Sequence, residues 1–189
     1  VLTLGSPIFI FIGILVKLSS PGSVFYVQKR VGRNYREFGC IKFRTMHKDA
    51  DELLPYLLKK YPLMRKEFEK DFKLRQDPRI TKLGRFLRRS SLDELPQFFN
   101  VLKGEMSVVG PRPIVSNEIN KYSLFMEEVI SVRPGLTGLW QVSGRNNLSY
   151  KKRVELDLVY ARNRNFILDL EIIILTLGVL LFPMDRGAF

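Results

Sequence analysis

Apolar residues pile up at both ends of this chain and interleave with charge between them. Val1 to Val16 is almost wholly apolar, broken only by Thr3 and Gly5-Ser6-Pro7, and it stops at Lys17. A bilayer-crossing helix takes about 20 apolar residues, so this segment is marginal as a span and also reads as a core helix. Pro7 lacks an N–H and would clash with the Thr3 carbonyl, which predicts a sharp bend at Ser6-Pro7. Val24–Val31 and Phe38–Met46 are rich in strand formers and flank Gly32-Arg33-Asn34, a β-hairpin pattern. Along the second run Ile41 and Phe43 fall on one face and Lys42 and Arg44 on the other, setting two cations side by side on an open surface.

His47 to Leu74 has amphipathic helical spacing, with Pro55 and Pro62 expected at helix starts or kinks. A basic helix is predicted over Arg79–Arg89 and another over Leu92–Leu102, ended by Gly104. Asn146–Arg164 reads as a polar helix containing Asp157. Phe166–Phe182 is apolar again, but Asp169 and Glu171 interrupt it, leaving a core or interfacial helix. The expected class is α+β: a mostly helical chain with one small hairpin and amphipathic helices.

Charge narrows the partners. The 189 residues carry a formal +12, which asks for nucleic acid, a phosphate-bearing ligand or an acidic membrane surface. Aromatics do not alternate with Lys and Arg as base-stacking platforms would, so nucleic acid is the weaker choice. A lone cysteine, Cys40, makes no internal disulfide, and a lone histidine, His47, excludes a multi-His zinc site. No phosphate-loop, dinucleotide-fold or H-E-x-x-H signature is present. The chain opens on Val1 inside an apolar run, as the C-terminal part of a longer protein would.

The stretch Ser90-Ser91-Leu92-Asp93-Glu94-Leu95-Pro96 puts two adjacent acids behind Arg85, Arg88 and Arg89 and ahead of Gly110-Pro111-Arg112-Pro113. Acids among arginines suit phosphoryl transfer: one carboxylate attacks, its neighbour helps hold Mg²⁺, and guanidinium groups grip the phosphates. The same residues also fit a capping box, Ser91-x-x-Glu94, at a helix start. Pro113 pre-sets Arg112 in an extended conformation. Arg133 to Arg145 forms a Gly-punctuated loop carrying Trp140 and Gln141, with Trp140 serving as core or as a ligand platform.

Together these segments resemble the bacterial sugar transferase family, the monotopic polyprenol-phosphate phosphoglycosyl transferases. The likeness rests on Lys42-Phe43-Arg44-Thr45-Met46, Asp77-Pro78-Arg79-Ile80-Thr81, Ser91 to Gln97, Asn100 to Ser107, Gly110 to Pro113, Arg133-Pro134-Gly135 through Gly144-Arg145, and Arg186 to Phe189. Glu69 to Leu74 and Arg112 to Ser116 are nearest to the undecaprenyl-phosphate galactose-1-phosphate transferases. Arg164 stands where an aromatic usually follows.

The resemblance implies that Asp93 attacks a UDP-sugar, releases UMP, and passes the sugar phosphate to undecaprenyl phosphate. It gives Asp93 and Glu94 the Mg²⁺, with Glu94 alternatively handling the proton inventory, places Arg88 and Arg112 on phosphate, and matches Lys42 and Asp157 to other polar positions that would bind substrate. Uridine recognition is placed around Gln141 and Arg145. Residues 1–18 would be a re-entrant membrane helix bent at Ser6-Pro7, and 19–189 a catalytic domain on the cytoplasmic face of the bacterial inner membrane, against anionic lipids. A homodimer is also open. The competing readings are a non-catalytic basic membrane anchor and a nucleic-acid-binding module.

Overall fold

The computed structural model describes residues 2–71, 74, 76–144 and 147–181. Its described elements are mainly helices with two small sheets, an α+β arrangement. The described residues form two compact units, one within 2–26 and 43–93 and the other within 27–42 and 94–181. The pair β1 (Phe25–Val31) and β2 (Glu37–Phe43) makes up the expected hairpin, closed by a tight turn in which Asn34 and Tyr35 take positive φ.

In the first unit, α1 (Leu2–Ser19) runs through Pro7 as one helix. It buries Ile12 and Val16, while Ile8, Ile10, Phe11, Ile14 and Leu18 stay exposed. Among the described residues no helix is long and apolar enough to cross a membrane. The C-terminal carbonyls of α1 and its following turn are satisfied by Arg44, whose guanidinium donates to the oxygens of Ser20 (2.7 Å) and Pro21. Arg44 is therefore a cap and not half of an open cationic face. The Phe43 ring packs on Phe9 and Phe25, with centroids 6.0 and 5.4 Å away.

The long amphipathic stretch divides into α2 (Ala50–Lys60) and α3 (Pro62–Asp71). Pro62 opens α3, where a missing N–H costs little, and Pro55 lies within α2. Arg79 is not helical as predicted. Its guanidinium forms a buried fork with Asp77, Nε to Oδ1 at 2.9 Å and Nη2 to Oδ2 at 2.6 Å. The helix starts later, as α4 (Lys82–Ser90), because Thr81 caps it by accepting from the Gly84 N–H at 2.9 Å. Gly84 is required there: a Cβ would collide with the Thr45 carbonyl.

The helix predicted over Leu92–Leu102 forms only in its second half, from Gln97. Ser91 closes α4 in the left-handed region, φ 58°, and Leu92–Glu94 is a single 3-10 turn. Pro96 has no N–H to give the Leu92 carbonyl, so α5 (Gln97–Leu102) begins only after it.

In the second unit, α5 docks on β2 through Asn100, which is fully buried. Its Oδ1 accepts from the Ile41 N–H at 3.1 Å, and its Nδ2 donates to the Gly39 carbonyl at 2.8 Å. Beside this lie Phe38, Cys40 and Met106. Strands β3 (Ser107–Val109) and β4 (Gly135–Thr137) pair in parallel, Ser107 opposite Gly135 and Val109 opposite Thr137. Just past β3 the backbones of Gly110 and Gly135 come so close that a Cβ on either would strike the other.

Short helices α6 (Ile119–Tyr122) and α7 (Met126–Ile130) pack on α9 (Tyr150–Asn163) around Ile114, Val129, Val154 and Leu158. A two-pronged ion pair from Arg162 to Glu128, 2.6 and 2.7 Å, ties α9 to α7. The helix α9 starts at Tyr150 because Ser149 caps it. Val109, Val142, Tyr160 and Ile172 join α8 (Leu139–Ser143) to α10 (Phe166–Leu181). Along α10, Phe166, Ile167, Ile174 and Leu177 remain exposed.

Candidate active site

Lys42 is the penultimate residue of β2, two residues beyond the Cys40 that lies between the two Asn100 anchors. That anchoring sets the strand end against the start of α5, and Lys42 Nζ reaches Glu94 Oε1 at 2.5 Å. Burial pushes the Glu94 carboxyl up, but the Lys42 charge and hydrogen bond, with Arg112 and Arg30 behind them, outweigh it. The carboxyl is held below the usual range. Glu94 is thus an ionised acid in a cationic setting.

Around it lies a cleft lined by Arg30, Cys40, Lys42, Gln97, Arg112 and Gln141, among others. Three cations face one carboxylate there. The cleft encloses about 20 Å³, room for one water-sized sphere.

Arg112 is presented by a braced turn. The Gly135 N–H donates to the Pro111 carbonyl at 2.8 Å and the Gly110 N–H to the Thr137 carbonyl at 2.9 Å. Pro113 gives its carbonyl to Arg30 Nη1 at 2.9 Å. The Trp140 indole is buried with guanidinium carbons of Arg112 and Arg153 at 6.0 and 5.1 Å from its ring, within cation–π reach. Trp140 is therefore core and platform at once, for arginines of its own chain.

Asp157, expected on substrate, has no exposed surface. Tyr122 donates to its Oδ2 at 3.0 Å. Burial raises its carboxyl to about 7, against the downward pull of the Tyr122 hydrogen bond and of the Arg112 backbone N–H and charge. Its place is beneath the Arg112 turn and not on an open face. Gln141 lines the cleft and donates to the Leu136 carbonyl at 3.3 Å. Arg145 lies outside the described residues.

Asp93, peptide-bonded to Glu94 in the same 3-10 turn, is buried. Arg88 belongs to the first unit, where its Nε donates to Thr45 Oγ1 at 2.9 Å. Ser6 and Pro7 lie within α1. Among the described residues no three His, Cys, Asp or Glu side chains form a ready metal cage. The donors present are hard carboxylate oxygens, which suit Mg²⁺ when a substrate's phosphates supply the remaining ligands.

Sequence reasoning missed Arg30, Gln97, Tyr122 and Arg153. Gln28 and Arg30 alternate with strand formers, a pattern that looks like a solvated face, and only the fold turns Arg30 inward. The Asn100 anchor was legible only as part of a motif.

The sequence matches the model of the family described as bacterial sugar transferase over residues 1–183. It is 48% identical over 181 residues to the undecaprenyl-phosphate galactose phosphotransferase of Salmonella typhimurium, covering 96% of this chain and 38% of that protein. It is also 48% identical over 160 residues to the UDP-galactose-lipid carrier transferase of Erwinia amylovora, 85% of this chain and 34% of that one. Identity is 46% over 188 residues to the exopolysaccharide production protein ExoY of Rhizobium meliloti, all of this chain and 82% of that one. The chain thus spans under two-fifths of the length of the first two relatives.

Proposed function

Since the chain belongs to the bacterial sugar transferase family, we propose that it moves a sugar 1-phosphate from a UDP-sugar to undecaprenyl phosphate. An Asp93 oxygen attacks the β-phosphorus, and the bond to the bridging oxygen breaks. UMP leaves with that electron pair, and the phosphosugar stays on the Asp93 carboxylate. A phosphate oxygen of undecaprenyl phosphate then attacks the same phosphorus and returns Asp93 as a free carboxylate. One site can in this way serve a water-soluble donor and a lipid acceptor in succession.

The observation that carries this reading is the cationic cleft around Glu94, the peptide neighbour of Asp93. A carboxylate approaching a diphosphate is repelled, so the attack needs cations on the phosphate oxygens. Arg112, Lys42 and Arg88 are assigned that task. Mg²⁺, held by Asp93 and Glu94 together with donor phosphate oxygens, would supply further charge neutralisation. Gln141 and Arg145 are assigned to the uridine. Galactose is the sugar favoured by the names of the Salmonella and Erwinia relatives, and the product would open exopolysaccharide, O-antigen or capsule assembly.

The exposed apolar faces of α1 and α10 support a monotopic seat on the inner membrane. In this reading α1 enters and leaves on the cytoplasmic side with its turning point at Ser6-Pro7, and the net charge of +12 meets anionic lipid there. Assembly as a homodimer belongs to the same proposal.

Intact-mass spectrometry of the full-length protein incubated with UDP-galactose, without lipid acceptor, tests the central step. Wild type should gain one sugar phosphate and Asp93→Asn should not. No adduct with any UDP-sugar, or an adduct that persists in Asp93→Asn, removes the assignment.

A further inference from the structure

Arg30 is 7% exposed and lies in the wall of the Glu94 cleft. Its Nη1 donates to the Pro113 carbonyl at 2.9 Å and its Nη2 to Gln28 Oε1 at 2.7 Å. The nearest carboxylate oxygen, Glu118 Oε2, is 3.8 Å from Nη1, an ion pair beyond hydrogen-bond length. Its Nε–H is buried with no partner. A buried donor on a charged group without a partner is costly, and it marks where an acceptor is wanted.

The surroundings state the sign of that acceptor. Arg30, Lys42 and Arg112 share the cleft wall with one carboxylate, and Glu94 already spends an oxygen on Lys42. Burial, and then the repulsion of Arg112, weaken the hold of Arg30 on its proton. Like charges brought together out of water are destabilising unless an anion sits between them. Arg30 is also joined through the Pro113 carbonyl to the residue that follows Arg112, so the two guanidiniums are set by one turn.

We propose that Arg30 and Arg112 form a paired clamp for one phosphate oxyanion, with the free Nε–H of Arg30 as a donor that the folded protein holds in reserve. This rests on the transferase reading for the identity of the phosphate, which is either the donor's diphosphate or the acceptor's monoester. It does not rest on that reading for the binding itself.

The test is equilibrium binding of inorganic phosphate to the full-length protein in detergent, followed by ³¹P NMR. Arg30→Lys keeps the charge but loses the planar fork. It should weaken phosphate binding about tenfold or more, and Arg30→Gln about ten- to hundredfold. Phosphate displaced by UDP assigns the clamp to the donor, and phosphate displaced by undecaprenyl phosphate assigns it to the acceptor. Displacement by neither overturns the assignment of the clamp to a transferase substrate, and unchanged affinity in both variants overturns the clamp. Should the variants not fold, an experimental structure of wild type with phosphate decides. Phosphate oxygens within hydrogen-bond reach of Arg30 and Arg112 support the proposal, and phosphate bound only elsewhere ends it. If binding depends on Arg30 but no UDP-sugar yields UMP, the clamp stands and the transferase reading falls.

Discussion

Lys42 Nζ sits 2.5 Å from Glu94 Oε1, joining the end of β2 to the turn that precedes α5. Their separation in sequence is closed by Asn100, which bonds β2 on both sides of Cys40. Burial alone would drive the Glu94 carboxyl towards its neutral form, and Lys42 is the leading influence that reverses this.

Lys42→Met should therefore raise the Glu94 pKa. The acid limb of kcat/KM against pH should move to higher pH, and the rate at neutral pH should fall about tenfold or more, since one pKa unit corresponds to about 1.4 kcal/mol. A pH–rate profile checks this. An unmoved acid limb would leave Lys42 as a contact to phosphate alone.

Arg112→Lys should be far from conservative, because its guanidinium is carried on a braced turn and lies 6.0 Å from the Trp140 ring centre. A two-pronged charge-assisted contact is worth roughly 2–3 kcal/mol, so kcat/KM should drop about 30- to 150-fold. A rate within a few-fold of wild type would reduce Arg112 to a turn residue.

Chelation is expected to stop turnover. With hard oxygen donors in Asp93, Glu94 and the substrate's diphosphate, EDTA should abolish UMP release and Mg²⁺ should restore it. Full activity in EDTA would mean that Arg and Lys alone neutralise the phosphates.

Asp157 makes a prediction about stability. Its carboxyl is pushed up to about 7 by burial, whereas an unfolded aspartate titrates near 3.9. Between those values the folded protein holds a proton that the unfolded chain gives up. Stability should fall as pH rises from about 4 to 7 and level off above, by a few kcal/mol at most. Asp157→Asn carries no such proton, so relative to wild type it should gain stability from pH 5 to pH 8. Urea midpoints at the two pH values measure this, and parallel changes in both proteins would refute it.

Much of the local structure could be read from the sequence alone, because it depends on neighbours along the chain. The hairpin, the amphipathic pattern, the helix opening at Pro62 and the stop at Gly104 follow from periodicity and from the geometry of Pro and Gly. The motif stretches likewise identify the family without any coordinates. Where the local reading erred, a tertiary partner had taken over. Ser91 fits a helix start by spacing, yet it also closes α4 in the left-handed region, and Glu94 turns to Lys42. Arg44 looks solvated on an alternating strand, yet it is drawn to the carbonyls at the end of α1. Asp157 reads only as a polar helix position in the sequence, and the fold buries it beside Tyr122. The sign of each side chain is fixed by its chemistry and visible in one dimension. Whether a charge faces water, a carbonyl or another charge depends on residues distant in sequence, and for Arg30, Lys42 and Arg112 only the tertiary structure decided it.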